Sequence, residues 1–306
     1  MTLENAAQHI EEMAIMANHV TVGLDGSGES TAAAHWAARE AELRDAALEL
    51  VHAEEWQEHP PHPVASAETL QRQAENLLRE TSAELRRRHP LLKITTRRVG
   101  GQPAHALAAA AKSSAMLVIG SRGLGSIAGF LVGSVASATI AATERPVVLV
   151  RSSGNAVAPA DGIRTRGAIV AGVDIRRPCD KLLGFAFEEA SHHRCALRVV
   201  HSWTPPAALS YAPTLVPGVQ QEMAQEVALA LEEMLRPWRD KFPSVNVEPQ
   251  AIIGQAALQL LDASADAALV IVGRRVRSSA FGAHIGPIAH AVLHHATAPV
   301  AVVAHD

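Results

Sequence analysis

The sequence predicts an α/β protein made of two tandem, doubly wound parallel sheets, and three observations predict it. The first is duplication. Ala171-Gly172-Val173-Asp174 echoes Val22-Gly23-Leu24-Asp25, and Leu197–Trp203 echoes Leu48–Ala53, with His201 falling on His52. The same offset pairs Trp36 with Phe185 and Glu40 with Glu189. A slightly larger offset pairs Gly101-Gln102 with Gly254-Gln255, Gly120 with Gly273, Gly133 with Gly286 and Pro146 with Pro299, so a short insertion follows the second strands. The second observation is that short apolar, β-branched runs alternate with longer helical stretches, as right-handed βαβ crossovers require. The third is a glycine-rich junction, Gly120 to Ser134, between one such run and the helix after it.

In the first half the expected strands are His19–Leu24, Leu48–His52, Lys93–Arg97, Met116–Ile119 and Val147–Val150. Their apolar runs suit strands buried on both faces. Helices are expected near Thr31–Asp45, Ala65–Arg88, Pro103–Ser113 and Ser134–Thr143. The second of these closes on Arg86-Arg87-Arg88-His89, cations that suit the negative end of a helix and are expected to be solvated. Ser152 to Gly162 is rich in Gly, Pro, Ser and Ala without periodicity, which reads as a boundary. The expected domains are therefore 1–154 and 163–306, with residues 1–17 a leader, either an amphipathic helix or a frayed segment.

At 306 residues the chain can bury two cores, and 48% hydrophobic against 19% charged residues reads as globular. No apolar run is long enough to span a membrane. The first residues lack a secretory pattern, and two cysteines, Cys179 and Cys195, are too few for a disulfide framework. A cytoplasmic protein with unpaired thiols is expected. A net charge of −4 and 3% aromatics give neither a basic footprint nor a stacking platform for nucleic acid. There are 16 histidines, including His59, His62, His192-His193 and His294-His295. Adjacent histidines on a helix diverge, and no Cys or carboxylate cluster has zinc-like spacing. Solvated surface positions are expected for them, and no metal ligand is assigned.

Gly120, Gly123, Gly125, Gly129 and Gly133 separate the Met116–Ile119 strand from the Ser134–Ile140 helical stretch. Such a junction lets backbone N–H groups converge and aims the positive end of a helix at one point, which suits phosphate. The spacing G-x2-G-x9-G-S is not Walker A, since no Gly-Lys-Ser/Thr follows, nor the compact Rossmann fingerprint. It resembles the ATP-binding loop of the universal stress protein family. The resemblance covers nearly the whole chain outside the leader. Val22–Ser27, the Trp36–Ala41 helix segment, Val51-His52-Ala53, Gly101–Ala104 and Arg145–Val150 carry it further.

The resemblance implies an adenine nucleotide alpha hydrolase-like fold with strand order 3-2-1-4-5. It also implies ATP, alone or with Mg2+, across the carboxyl ends of strands one and four. That crevice is a topological switch point, where open α/β sheets bind ligands on general grounds. By the same resemblance Gly120, Ser121, Arg122, Gly123 and Gly125 would wrap the phosphates with backbone N–H groups. Gly133, Ser134 and Val135 open the next helix, and Gly23 belongs to the strand-one motif. Asp25 would meet ribose or a phosphate-bound metal, or serve as a turn residue bonding its own backbone. Ala53 would meet adenine through its backbone. The second half keeps Asp174, Gly273, Arg274 and Gly286, but Val276 stands for Gly123 and Pro287 for Ser134. Valine resists positive φ and adds bulk, and proline removes an N–H. Arg274, Arg275 and Arg277 either offset this by charge or form a solvated basic loop. The second site is expected to be impaired, and either empty or altered in ligand.

The expected function is an ATP-binding stress-response module. Nucleotide would order the Gly120–Gly133 loop and change a surface read by a protein partner that the sequence does not name. One alternative is an ATP-using enzyme on the same fold. Near the loop only Arg122 and Asp25 are available for hydrolysis, with no positioned base or P-loop lysine, so at most weak hydrolysis is expected. Another is a nucleotide-free scaffold. Val147–Val150 and Val300–Val303 would be apolar edge strands, which invite pairing. The expectation is a pseudo-dimer of the two halves through these edges, with a homodimer as a further assembly. Charged substitutions at Leu149 and Val302 should then separate or destabilise the halves, read by unfolding and limited proteolysis, while first-half ATP binding persists. Unchanged stability in both variants would refute this pairing.

Overall fold

The computed structural model describes residues 19–54, 67–121, 132–152, 167–206, 218–276 and 285–305. The 1–17 leader, the boundary segment after Ser152, His59, His62, Arg122, Gly123, Gly125 and Arg277 lie outside the described residues. The chain divides into two compact units, Met1–Val157 and Ala158–Asp306.

The first unit is a parallel sheet of β1 (His19–Leu24), β2 (Ala47–Glu54), β3 (Ile94–Gly100), β4 (Met116–Gly120) and β5 (Val147–Val150), in the order β3-β2-β1-β4-β5. The β-branched and leucine runs form its middle. Val20, Val22, Leu48, Leu50, Leu117 and Val118 are fully buried. Removing each such side chain from water contributes about 1.5–3 kcal/mol. Helices α1 (Gly28–Leu43), α2 (Ala67–Arg88), α3 (Pro103–Ala110, continued by a 3-10 turn at Ala111–Ser113) and α4 (Ser134–Ala142) provide the crossovers. Ala33, Ala34, Ala37, Ala38 and Ala41 are buried along α1, small enough to bring its backbone close to the sheet.

α1 begins earlier than the alanine pattern suggests, because the Ser27 side chain accepts from Ser30 N–H and caps it. It stops at Leu43, since Asp45 takes φ +50. Arg86, Arg87 and Arg88 are exposed, as the solvated reading of this helix end expects, while His89 is half-buried. Arg86 donates to the carbonyl of Ile94 at 2.9 Å, tying the end of α2 to the start of β3, and His89 pairs with Glu42 at 2.8 Å.

The second unit repeats the plan with β6 (Ile169–Gly172), β7 (Leu197–Trp203), β8 (Val247–Ile253), β9 (Leu269–Arg275) and β10 (Val300–His305), all parallel, in the order β8-β7-β6-β9-β10. Its helices are α5 (Asp180–His193), α6 (Val219–Lys241), α7 (Ala256–Ala263) and α8 (Pro287–His295). Phe187 on α5 stacks on Trp238 of α6 at 5.8 Å between centroids, and Phe242 closes the cluster.

The duplication reaches buried charge. Glu40 on α1 pairs with Arg44 at 2.8 Å, and its counterpart Glu189 on α5 lies 3.7 Å from His193. His193 therefore departs from the solvated expectation. It sits one turn after a fully buried carboxylate, on the same helix face, and its side chain is only 7% exposed. His295 is exposed as expected.

Candidate functional site

In the first unit the carboxyl end of β1 runs into Asp25-Gly26-Ser27. Gly26 takes φ +83, a conformation glycine adopts without strain. This turn aims Asp25 at the exposed mouth of the sheet. Its Oδ1 accepts from the N–H of Ser27 at 2.9 Å and from the Ser27 hydroxyl at 2.6 Å. The same hydroxyl oxygen accepts from Ser30 N–H at 3.1 Å. Asp25 thus makes the backbone bond of the turn reading, and that bond also fixes where its carboxylate stands.

At the neighbouring end of β2, His52 Nδ1 lies 2.8 Å from the carbonyl of Leu24. A carbonyl only accepts, so Nδ1 carries the proton and, in the neutral ring, Nε2 is left as acceptor. His201 repeats the contact on Val173 at 3.1 Å. Both histidines were visible as duplicated positions in the sequence. Their role was not, because it depends on one strand's end meeting the next. Ala53 follows directly, half-buried and in register with Val99.

Gly120 closes β4. A Cβ there would lie 2.9 Å from the Glu29 carbonyl carbon, from Glu29 Cβ and from Ser30 N. Its lack of a side chain lets the start of α1 rest on the end of β4, joining the two walls of the crevice. Gly23 has a similar packing duty, against Leu107 and Ile119. Ser121 N–H donates to Val150 O at 2.8 Å, and Ser121 O accepts from Gly133 N–H at 2.9 Å. The backbone donor of Ser121 is therefore committed to the sheet, and the residue itself is buried. Gly133 caps α4 in an extended conformation without a side chain, so Ser134 and Val135 open the helix at an exposed surface. Asp25, Ala53, Gly120, Ser121, Gly133, Ser134 and Val135 thus gather at the carboxyl ends of β1, β2 and β4.

Three features mark the second unit. Beyond Gly273, Arg274 and Arg275 are paired with Ala304 and His305, and Val276 N–H donates to His305 O at 2.8 Å. Pro287 occupies the first turn of α8 behind Gly286. Asp174 accepts from Arg176 Nε on Oδ1 and from Arg177 Nε on Oδ2, each at 3.1 Å. Burial pushes this carboxyl up, but the backbone and side-chain bonds from Arg176 and the two guanidinium charges outweigh it and hold it below the usual range. A cavity of about 450 Å³ opens beside these residues. Cys179 lines it; burial, with Asp180 and Asp174 adding, pushes its thiol up to about 11, so it is neutral near pH 7. Cys195 is likewise raised by burial.

The geometry defines a class: a duplicated, doubly wound α/β protein whose first unit presents a loop-to-helix junction at the switch point of its sheet. The Universal stress protein family profile matches this chain twice, over residues 16–151 and 165–304. The chain belongs to that family. It is 30% identical to a universal stress protein of Mycobacterium bovis over 302 residues, covering 92% of this chain and 96% of the relative. It is 31% identical to one from Mycolicibacterium smegmatis, covering 93% and 96%. Its fold is shared by the crystal structure of a universal stress protein from Archaeoglobus fulgidus, with a TM-score of 0.70 at 15% identity over 95% of this chain and 99% of that one. Among the described residues no helix is long and apolar enough to cross a membrane.

Proposed function

We propose that the first unit binds ATP and that the protein acts as a nucleotide-dependent signalling module in stress response, with a second unit that does not accept the triphosphate. The observation that carries this reading is the bridge from Ser121 to Gly133 beside the uncapped amino end of α4. It starts and ends the Gly-rich loop at one point, next to Asp25. ATP supplies a flat base, ribose hydroxyls and a polyanion, with or without Mg2+. The amino end of α4 and the loop, including Arg122, Gly123 and Gly125, would hold the phosphates. The Ser121 hydroxyl would add one bond, Asp25 would take ribose or the metal, and the backbone at Ala53 would meet adenine. The second unit lacks the equivalent donors, since Val276 N–H is committed to His305 and Pro287 has none.

Calorimetry on the whole chain should give close to one ATP per chain, and two equal sites would sink the reading. Turnover should fall below the roughly 1 to 1,000 per second of ordinary enzymes, because the sequence offers no P-loop lysine and no side chain among the described residues is positioned on a water or a γ-phosphate. A rate inside that range, abolished by Asp25→Asn, would instead establish an ATP-using enzyme.

A further inference from the structure

We propose that the second unit carries a ligand site of its own, for a small amphipathic anion: a largely apolar body bearing one negative group, taken up without a divalent cation. This goes beyond the ATP reading and does not depend on it. The cavity of about 450 Å³ falls in the size range of small-molecule sites and far exceeds room for a few waters. Leu182, Val200, Leu260, Val272 and Ile288 give it apolar walls, and Asp174, Arg177 and Arg275 give it a charged rim. The neutral Cys179 thiol adds no charge to repel an anion.

Charge decides what the rim accepts. Asp174 lies between two guanidiniums, each bonded through Nε, so the Nη donors stay outside those bonds and the trio is net positive. A carboxylate already held by two cations is a poor ligand for a hard divalent ion, which seeks free anionic oxygens. Arg275 has no ion pair among the described residues and adds a further positive group. Guanidiniums on a rim pair well with a carboxylate or phosphate. A polyphosphate would need more, and the Val276 N–H is not available to it. Apolar walls below a cationic rim therefore select one anionic head on a mainly apolar body. An aromatic carboxylate has that chemistry, and a nucleoside monophosphate shares the anionic head on a more polar body.

The test is calorimetry with AMP and, separately, indole-3-acetate, in EDTA, on the full chain carrying Gly123→Val so that phosphate binding at the first loop is weakened, with the Arg177 and Asp174 variants assigning any binding to the second unit. At least one probe should bind at one per chain. Binding by AMP alone assigns a nucleotide source, by indole-3-acetate alone an aromatic acid, and by both the shared chemistry. Arg177→Ala should weaken binding about tenfold or more. Asp174→Asn should tighten it several-fold, the opposite of what a carboxylate gripping ribose or metal would show. Ala256→Trp, which narrows the cavity, should abolish it. If that variant fails to fold by circular dichroism, the opposed effects at Arg177 and Asp174 decide alone. No binding of either probe at millimolar concentration, a requirement for Mg2+, or loss of binding on Asp174→Asn overturns the proposal. Failure of ATP to bind the unmutated chain would overturn the first-unit reading and leave this result standing.

Discussion

Gly123→Val should lower ATP affinity about a hundredfold or more while leaving the thermal unfolding midpoint close to that of the unmutated chain. The second unit shows what valine does at this position. Val276 continues the line of its strand, and its N–H is bonded to the carbonyl of His305. A β-branched residue favours such an extended backbone. In the first unit the same change would pull the loop toward β5 and remove at least one amide from the phosphates. Losing a charge-assisted bond costs about 1.5–3 kcal/mol, and forcing the loop back costs a further 1–3 kcal/mol or so. Together these come to about 2.5–6 kcal/mol, a range that begins near the roughly 2.8 kcal/mol that a hundredfold represents. Calorimetry on the variant checks this, and unchanged affinity would mean that the phosphates sit elsewhere.

Gly120→Ala should destabilise the first unit by about 2 kcal/mol, a typical result of forcing an extra methyl into a packed interior. The new methyl would approach backbone atoms of Glu29 and Ser30 at 2.9 Å, and these are less able to yield than a side-chain tip. Gly28→Ala is the control. Nothing lies within 4 Å of a Cβ there and the residue is helical, so that variant should be slightly more stable, by about 0.5 kcal/mol. Chemical unfolding, with hydrogen exchange of peptides from 28–43, separates the two. Equal stability of both variants would mean that α1 does not rest on β4 as described. Because the helix start and the loop share this contact, Gly120→Ala should also weaken ATP binding.

Much of the fold was legible from pattern. His19–Leu24 and Val147–Val150 are strands at the expected bounds because turn residues flank them closely. β3 was harder: it extends to Gly100 through exposed Arg97 and Arg98, whose ion pairs with Glu49 and Glu54 replace the apolar signal that a sequence reading follows. The glycine spacing located the junction, but spacing alone made Gly120 a phosphate residue and could not reveal the helix resting on it. Likewise Val276 and Pro287 marked the second unit as altered. The clamp of Arg176 and Arg177 on Asp174 stayed hidden, since consecutive arginines after an aspartate are common on plain surfaces. Side-chain direction, which composition does not encode, separates the two cases.

The bond between Ser121 and Gly133 has a consequence for engineering. It works as a neck: the chain leaves β4 and enters α4 through two hydrogen-bonded residues, which hold the two ends of the intervening segment side by side. Lengthening such a segment costs only about 0.6 kcal/mol per doubling in closure entropy. A reporter domain with closely spaced termini, spliced into this segment, would be anchored at a fixed place on the sheet and would feel little of the body's own motion.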